Sequence, residues 1–359
     1  MFLVKMDIET KMKLIQDVGE EIITEDSLRE VLQTTKKPIA YDGFEPSGKI
    51  HIAQGILRAI NVNKMTKAGC EFKLWVADWH AWANNKLGGN FENIQTAGKY
   101  MEEVWKVTGM DMTKVKFLWA SDVMGDKDYW KKVMSVATNS TLKRIIRTGQ
   151  IMGRTETDVL QSSQILYPCM QAADIFELDV DIAQLGMDQR KVNVLARELA
   201  PKLGYKKPVA VHHHMLLGLT QINSNAKGVD RAVEMKMSKS KPNSAIFMTD
   251  SKKEVESKLN KAFCPEKIVT DNPVLEYCNY IVFESFKEVN IERPDKFGGD
   301  VSFGSYAELE AAYVDGKLHP MDLKQTTARY INELLEPVRK HFEKNAKAAK
   351  LLKEVNSFT

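Results

Sequence analysis

Residues 38–54 read PIAYDGFEPSGKIHIAQ: an apolar, strand-like segment, a turn rich in glycine and proline, and the start of a helical pattern. In a parallel α/β sheet, ligands bind beyond the carboxyl ends of the strands, where a helix N-terminus offers N–H groups to phosphate. Gly43 and Gly48 permit close backbone approach. Ser47 supplies a hydroxyl, and His51 can donate to a phosphate oxygen. The same residues would suit an ordinary turn with a capping serine, so this segment leaves both interpretations open.

Strand-like segments recur after helical stretches. Besides 38–41 they occupy residues 72–77, 115–119, 180–183 and 208–212, and the helix after the first turn is expected from residue 51 to about 67. This alternation predicts an α/β fold with a Rossmann-type parallel sheet. From residue 252 onward we find helices and turns without convincing strand alternation. The predicted parts are an N-terminal helical arm (1–35), a Rossmann-fold domain (36–248) and a C-terminal α-helical domain (249–359).

Composition bounds the class of protein. Of the 359 residues, 43% are hydrophobic and 28% charged, which is the balance of a globular protein with a sizeable core. The net charge of +3 is nearly neutral, so any basic nucleic-acid surface must be local. The four cysteines show no metal-ligand spacing, which predicts reduced thiols and a cytoplasmic protein. No apolar run approaches the roughly 20 residues of a transmembrane helix, and we expect no membrane partner.

A second cluster of charge lies in residues 236–240, which read KMSKS and precede Lys241. Three lysines interleaved with serine suit a loop that clamps a polyphosphate. Such cations stabilise the negative charge that grows during phosphoryl or nucleotidyl transfer. A lysine-rich surface loop is the alternative for a generic sequence, but this string is too specific for that interpretation.

Residues 167–174, YPCMQAAD, follow a helical pattern. Tyr167, Gln171 and Asp174 lie at i, i+4 and i+7 and therefore share one face. A carboxylate on an otherwise apolar helix is costly to bury unless a donor meets it. The donor could be the phenol hydroxyl of a ligand or an internal partner, and the spacing alone does not decide between them.

These motifs together resemble those of a known family. The sequence from His51 to Gln54 is similar to the HIGH signature of class I aminoacyl-tRNA synthetases, and residues 236–240 match their KMSKS signature letter for letter. Ala53 replaces the glycine on which adenine packs, and Gln54 replaces the second histidine. With residues 41–48, 167–174 and 186–191, the resemblance narrows to the archaeal and eukaryotic tyrosyl-tRNA synthetases, over about residues 25–343.

The resemblance implies a reaction and its participants. L-tyrosine would be activated by ATP with Mg²⁺ to tyrosyl-adenylate and pyrophosphate, and tyrosine would then pass to the 3′ end of tRNA(Tyr) in a homodimeric enzyme. His51, Lys236 and Lys239 would stabilise the α-phosphate under attack. Tyr41 and Asp174 would bind the tyrosine hydroxyl. The other implied contacts are Glu45, Tyr167, Gln171 and Gln189 to the α-amino and carboxylate groups, and Gly43, Ser47, Gly186, Asp188 and Met215 to ATP.

Two histidine positions carry weaker signals. His80 lies in a segment, ADWHA, that matches one edging the tyrosine pocket, but a packed histidine is as good an interpretation. The run at 212–214 resembles a metal site, although it ends a predicted strand just before the KMSKS loop. By resemblance its backbone approaches adenine, and we predict no bound zinc.

The C-terminal part holds the expected anticodon contacts. An aromatic ring and an imidazole can sandwich an unstacked base, and a carboxylate can accept from a guanine edge. By resemblance, Phe297 and His319 stack on the first anticodon base and Asp322 reads it. Without the resemblance these are loop residues and a helix N-cap. Arg147 and Arg190 match residues near the first base pair of the acceptor stem.

Three other functions compete with this interpretation. A tryptophanyl enzyme shares the fold and signatures, but an indole pocket has no use for both Tyr41 and Asp174. A non-catalytic RNA-binding relative would not need an intact KMSKS loop and a complete pocket. A small-molecule adenylyltransferase with an HxGH-like motif leaves the C-terminal part unexplained.

Overall fold

The computed structural model describes residues 6–153, 160–221, 226, 231, 234–237 and 242–358. Its centre is a six-stranded sheet in the order β1-β6-β5-β2-β3-β4. Strands β2 to β6 are parallel, and β1 runs antiparallel to β6. The predicted Rossmann-type sheet is thereby confirmed. The strands are β1 (Glu21–Ile23), β2 (Ile39–Phe44), β3 (Glu71–Val76), β4 (Val115–Trp119), β5 (Ile182–Gly186) and β6 (Val209–His213).

The sheet has an apolar core on each face because neighbouring side chains of a strand point to opposite sides. Ala40 belongs to one core and Tyr41 to the other. In β5, Ile182 and Ala183 are divided in the same way. Strands buried on both faces read as short apolar runs, which is why the sequence revealed them.

Two strands end later than the sequence predicts. β2 continues through Asp42 and Gly43 to Phe44, and β5 ends at Gly186 rather than at residue 183. Polar and glycine residues at the carboxyl ends masked these extensions. Their consequence is that Asp42, Gly43 and Gly186 lie on strand ends, where a parallel sheet binds ligands.

The N-terminal arm contains two helices and, between them, a short strand that the sequence did not predict. Its helices α1 (Ile8–Gln16) and α2 (Glu25–Thr34) flank strand β1, which pairs with the outer edge of β6. Ile22 and Ile23 supply the local β preference, but three residues are too few for a periodic signal. The arm is also packed rather than extended, since Ile15 and Leu28 are fully buried.

The remaining helices cover the sheet and build the C-terminal part. Among the helices of the described ranges, none combines the length and apolar character needed to cross a bilayer. They are α3 (Arg58–Lys67), α4 (Asp78–Ala83), α5 (Phe91–Trp105), α6 (Lys127–Thr138), α7 (Leu142–Thr148), α8 (Ser162–Glu177), α9 (Arg190–Leu203), α10 (Lys252–Asn260), α11 (Pro273–Tyr277), α12 (Phe283–Ser285), α13 (Tyr306–Val314), α14 (Pro320–Lys344) and α15 (Ala346–Ser357).

The C-terminal part contains one element that the sequence did not predict. The predicted helical region is confirmed, and strands β7 (Val289–Ile291) and β8 (Val301–Phe303) add a short antiparallel pair to it. Each strand has a single apolar–polar–apolar alternation, and the loop between them holds Pro294 and a glycine pair. Such a short pattern does not stand out from loop sequence.

The C-terminal helices pack directly on helix α5 of the sheet region. The rings of Tyr100 and Phe342 lie 5.4 Å apart, and His341 Nε2 lies 2.8 Å from Glu103 Oε2. Val104 on α5 and Val355 on α15 belong to the same apolar core. One hydrophobic core therefore runs from the sheet into the C-terminal helices.

Candidate active site

A cavity of about 560 Å³ opens beyond the carboxyl ends of strands β2, β3, β5 and β6. It contains every predicted tyrosine and ATP residue except Lys239, which lies outside the described residues. The predicted residues that line it are Tyr41, Gly43, Glu45, Ser47, His51, Tyr167, Gln171, Asp174, Gly186, Asp188, Gln189, Met215 and Lys236. His80, the weaker candidate, lines it as well.

Asp174 lies at one end of the cavity, here called the Asp174 end. Its carboxylate accepts a hydrogen bond from Tyr129 Oη at 2.8 Å, and His80 Nε2 lies 3.0 Å from its other oxygen. Burial disfavours the charged imidazole, but the Asp174 carboxylate outweighs burial and raises the pKa of His80. Asp174 therefore has internal partners and still faces the cavity.

Two buried phenols share this end with Asp174. Burial, followed by the nearby Asp174 charge, raises the pKa of Tyr41 well above its ordinary value. Burial and Glu45 do the same to the pKa of Tyr167. Both side chains remain neutral phenols at physiological pH, able to donate as well as accept a hydrogen bond.

The middle of the cavity is lined by amides and a carboxylate. Gln171 Nε2 donates to Gln189 Oε1 at 3.0 Å, and Gln189 Nε2 donates to the Ile151 carbonyl at 3.1 Å. Glu45 accepts from Asn84 Nδ2 at 2.9 Å, and Lys86 Nζ lies 3.3 Å from its second oxygen. These contacts fix donors and acceptors in place to meet a zwitterionic group.

The opposite end, here called the Lys236 end, lies where β5 meets the segment leading into the KMSKS loop. Lys236 Nζ donates to Asp188 Oδ2 at 2.6 Å. A Cβ on Gly186 would lie 2.6 Å from both Asp188 Oδ1 and Met215 Sδ, so any larger residue would have to displace these two side chains.

His51 is held at this end by a short antiparallel pairing with the chain that follows the KMSKS motif. Ile52 N donates to the Ile246 carbonyl and Met248 N to the Ile50 carbonyl, each at 2.9 Å. Gly55 then packs against Met248, where a Cβ would come within 2.2 Å of sulfur. The HIGH-like segment is thus joined by backbone hydrogen bonds to the chain that follows the KMSKS signature.

A buried charged cluster behind the Lys236 end was missed by sequence reasoning. Arg58 Nη2 lies 2.7 Å from Asp42 Oδ2, and Arg58 also donates to Gln184. Burial raises the pKa of Asp42 to about 7, although Arg58 opposes the rise. Burial and the Arg58 charge hold the pKa of His213 well below its ordinary value. No motif links these residues, because they come from three strands and a helix.

The histidines of the 212–214 run enter separate networks. His212 lies 2.8 Å from Glu21 and 3.0 Å from Asn193. His213 joins the Arg58 cluster, and His214 lies 3.2 Å from both Glu20 and Glu276. Consecutive strand residues point to opposite faces, so these three imidazoles do not converge on one point.

The predicted RNA contacts fall in two regions and are not among the residues that line the cavity. Arg190 Nε donates to both carboxylate oxygens of Glu21, at 2.9 and 2.8 Å, and Arg147 lies in the last turn of α7. His319 is the N-cap of α14 and accepts from Met321 N, as the alternative interpretation held, and Asp322 follows in the first turn. Phe297 ends a short turn between β7 and β8, and its side chain lies outside the described part of the chain.

Arg293 connects the β7–β8 loop to the start of α14. Its guanidinium donates to the Gly299 carbonyl at 2.9 Å and to the Lys317 carbonyl at 2.8 Å. The loop that carries Phe297 is therefore tied to the residues just before His319. Sequence reasoning had placed both in one constellation without a physical link between them.

Comparisons with known proteins agree with this geometry. Residues 33–336 match the model of the class I tRNA synthetases for tryptophan and tyrosine. The chain is 49% identical over 360 residues to the cytoplasmic tyrosine–tRNA ligase 1 of Arabidopsis thaliana, an alignment that covers 99% of this chain and 91% of that one.

Two solved structures share the whole fold. The tyrosyl-tRNA synthetase of Pyrococcus horikoshii, complexed with L-tyrosine, superposes with a TM-score of 0.91 at 42% identity, over 97% of this chain and 100% of that one. The Leishmania major tyrosyl-tRNA synthetase in complex with tyrosinol gives 0.89 at 43% identity over 98% of this chain, which spans 61% of that longer protein. The chain therefore belongs to the class I aminoacyl-tRNA synthetases, in the family of the tyrosine–tRNA ligases.

Proposed function

We propose that the chain is a tyrosine–tRNA ligase, which activates L-tyrosine with ATP and transfers it to the 3′ end of tRNA(Tyr). The observation that carries this proposal is the cavity itself. A buried carboxylate and two neutral phenols lie at one end. A histidine, a lysine and the Asp188 carboxylate, which can accept hydrogen bonds from ribose hydroxyls, lie at the other. Few substrate pairs other than tyrosine and ATP would need both sets of groups in one cavity.

Tyrosine would enter with its ring toward the Asp174 end. Its hydroxyl would donate to Asp174 and contact Tyr41, because a buried carboxylate with a vacant acceptor site discriminates strongly in favour of a donor. His80 and Tyr129 hold that carboxylate from the protein side. The α-amino group would meet Glu45 and Tyr167, and Gln171 and Gln189 would orient the carboxylate toward ATP.

In the first half-reaction a tyrosine carboxylate oxygen attacks the α-phosphorus of ATP. The new P–O bond forms as the bond to the bridging oxygen breaks, and pyrophosphate leaves with that electron pair. His51 and Lys236 would stabilise the added negative charge on the phosphate, where it exceeds the charge of the ground state. Lys239 is proposed for the same role on the strength of the signature alone.

The ribose would bind at Gly186 and Asp188, and adenine would pack near Met215, with Gly43 and Ser47 on the opposite wall. In the described ranges no group of three or more His, Cys, Asp or Glu side chains stands close enough to hold a metal ion. We propose that Mg²⁺ enters on the phosphates of ATP, where it would neutralise charge on the leaving pyrophosphate.

In the second half-reaction the 3′ end of the tRNA would enter the cavity. A hydroxyl of the terminal tRNA ribose attacks the tyrosyl carbonyl, and AMP leaves. We propose that residues 36–248 act as the catalytic domain and 249–359 as the anticodon-binding domain, behind an arm of residues 1–35. Phe297 and His319 would stack on the first anticodon base, which Asp322 would read, and Arg147 and Arg190 would lie near the acceptor stem. Arg190 would then exchange Glu21 for phosphate.

We also propose a homodimer. Trp82, Met134, Leu142 and Leu166 are 39–60% exposed on helices α4, α6, α7 and α8, and the first three of these helices pack on α8. An apolar surface of this kind suits contact with a second copy. Sedimentation equilibrium tests the proposal, and a monomer at micromolar concentration would contradict it. The relatives from Arabidopsis are named cytoplasmic, and we propose the same compartment here.

The deciding experiment is ATP–pyrophosphate exchange with each amino acid, followed by aminoacylation of tRNA(Tyr). Exchange that depends on tyrosine and not on tryptophan or phenylalanine is the expected result. Tryptophan-dependent exchange would establish the tryptophanyl alternative. Absence of exchange with every amino acid would favour a non-catalytic RNA-binding relative.

A further inference from the structure

The helix that follows His51 begins with an irregular turn. Residues Ala53–Leu57 form a π-helical turn, in which Leu57 N donates to the Ile52 carbonyl at 3.0 Å, five residues back. The Arg58 N–H, which a regular α-helix would direct to the Gln54 carbonyl, bonds to the Gly55 carbonyl instead. π-Helical turns are rare and frequent at functional sites. Ala53 and Gln54, which depart from the HIGH signature, are the first two residues of this turn.

The Gln54 carbonyl receives a hydrogen bond from outside the helix. Trp105 Nε1 donates to it at 2.8 Å from the last position of α5. The indole is fully buried and stacks on Phe117 with ring centroids 5.9 Å apart, while Phe44 packs on it at 5.2 Å. Leaving a buried carbonyl without a hydrogen-bond donor costs about 1–3 kcal/mol of stability. The bond from Trp105 therefore favours the π turn over backbone conformations in which the Gln54 carbonyl has no donor.

The π turn, and not Trp105, faces the cavity. His51, Ala53 and Gln54 line the Lys236 end, whereas Trp105 is not among the residues that line the cavity and contacts two that are, the Gln54 carbonyl and the Phe44 ring. A change at Trp105 can therefore reach ATP through the Gln54 hydrogen bond or through the Phe44 ring, and a variant that keeps the ring shape but lacks the N–H isolates the first route. Asp174 and its partners lie at the opposite end.

We propose that Trp105 is a positioning residue for the ATP half-reaction. Its N–H holds the Gln54 carbonyl, and through it the π turn that presents His51 to the phosphates. The inference rests on the proposed function, because it takes the Lys236 end to be the ATP site.

Trp105→Phe tests the inference, because it removes the N–H donor and keeps an aromatic ring. Trp119→Phe is the matched control: Trp119 Nε1 also donates to α5, but to the Glu102 side chain at 2.7 Å, and its ring packs on Gly98 of that helix. Tyrosine-dependent pyrophosphate exchange is measured over a series of ATP concentrations, and tyrosine binding by calorimetry.

We expect Trp105→Phe to lower kcat/KM for ATP by about ten-fold, the effect of one lost buried hydrogen bond, with tyrosine affinity within about two-fold of the parent. Trp119→Phe should leave both quantities at parental values. Parental kcat/KM for ATP in Trp105→Phe, or equal losses in both variants, would overturn the positioning role.

If Trp105→Phe does not fold, benzothienylalanine at position 105 supplies the second variant, since its ring has the same shape and carries sulfur in place of N–H. The same ATP-specific loss is expected, and parental kinetics would overturn the inference. A parent enzyme without tyrosine-dependent exchange would overturn the proposed function instead, so the two failures are distinguishable.

Discussion

The Asp174 end and the Lys236 end of the cavity hold their charged groups in different ways. The Asp174 side chain is 1% exposed and already has Tyr129 and His80 within 3.0 Å, so its position does not depend on a ligand. The Lys236 side chain is 27% exposed and is paired with Asp188, the residue proposed to accept from ribose. The proposed amino-acid pocket is thus preformed, whereas the proposed nucleotide pocket would have to exchange an ion pair for contacts to ATP.

The largest effect is expected from a substitution at the Lys236 end. Lys236→Ala should lower kcat of tyrosine activation by about 10²–10³-fold, the range for removing one group that stabilises transition-state charge, and leave tyrosine affinity nearly unchanged. Exchange kinetics and tyrosine titration measure the two quantities. Lys206→Ala, which removes a lysine paired with Asp181 outside the cavity, is the control. Matching losses in affinity and rate would show that Lys236 does not act on the transition state.

The next largest effect is expected from a substitution at the Asp174 end. Asp174→Asn should reduce the preference for tyrosine over phenylalanine by roughly 10–100-fold, because a hydrogen bond to a charged group contributes about 1.5–3 kcal/mol. The ratio of kcat/KM values in pyrophosphate exchange reports it. Asp181→Asn, at a buried aspartate that accepts from Ile39 N, controls for loss of a buried carboxylate. Undiminished discrimination would remove Asp174 from the hydroxyl site.

A third prediction distinguishes tRNA recognition by the C-terminal part from tyrosine activation in the cavity. His319→Asn keeps an N-cap side chain on α14 but removes the ring, and stacking contributes about 1–3 kcal/mol per base. Aminoacylation should therefore fall about ten-fold while pyrophosphate exchange is unchanged. Asp322→Ala should in addition relax the preference for guanine at the first anticodon position. Transcripts altered at that base provide the measurement, and an unchanged ratio between transcripts would contradict the assignment.

The smallest effect concerns His214, which anchors the chain beside Met215 to the arm and the C-terminal part. Burial disfavours its charge, but Glu20 and Glu276 outweigh burial and raise its pKa to about 9. The histidinium therefore stabilises the fold fully below pH 6.5, and this contribution is lost as pH rises through about 9. Between pH 6.5 and 9.5 the parent should lose about 2–4 °C more in Tm than His214→Asn. Parallel Tm profiles for the parent and His214→Asn would contradict a stabilising role for the His214 ion pairs.

The sequence predicted the sheet and about half of the cavity lining, and the reason lies in local signals. Residues such as Gly43, His51 and Lys236 belong to contiguous motifs, and Tyr167, Gln171 and Asp174 share one helical face. Tyr129, Arg58 and Gln184 belong to no motif. Tyr129 reaches Asp174 across 45 positions, and only the packing of α6 on α8 brings them together, which spacing along the chain does not reveal.

The errors have a physical pattern as well. Strands β1, β7 and β8 have three residues each, too few for alternation to emerge. The π turn was not predicted because residues 53–57, AQGIL, simply continue the helical pattern that runs to Lys67. The RNA contacts at Phe297, His319 and Asp322, like the domain boundary near residue 248, stay predictions.

The continuous core between α5 and the C-terminal helices has a consequence for protein fragments. A polypeptide ending at residue 248 would leave Tyr100 without Phe342 and Glu103 without His341, and would uncover the apolar face on which α15 lies. Such a fragment would retain every described residue of the cavity and yet be prone to aggregation. The activation chemistry can therefore not be isolated by trimming at the motif boundary. A smaller catalyst would first need polar replacements along α5.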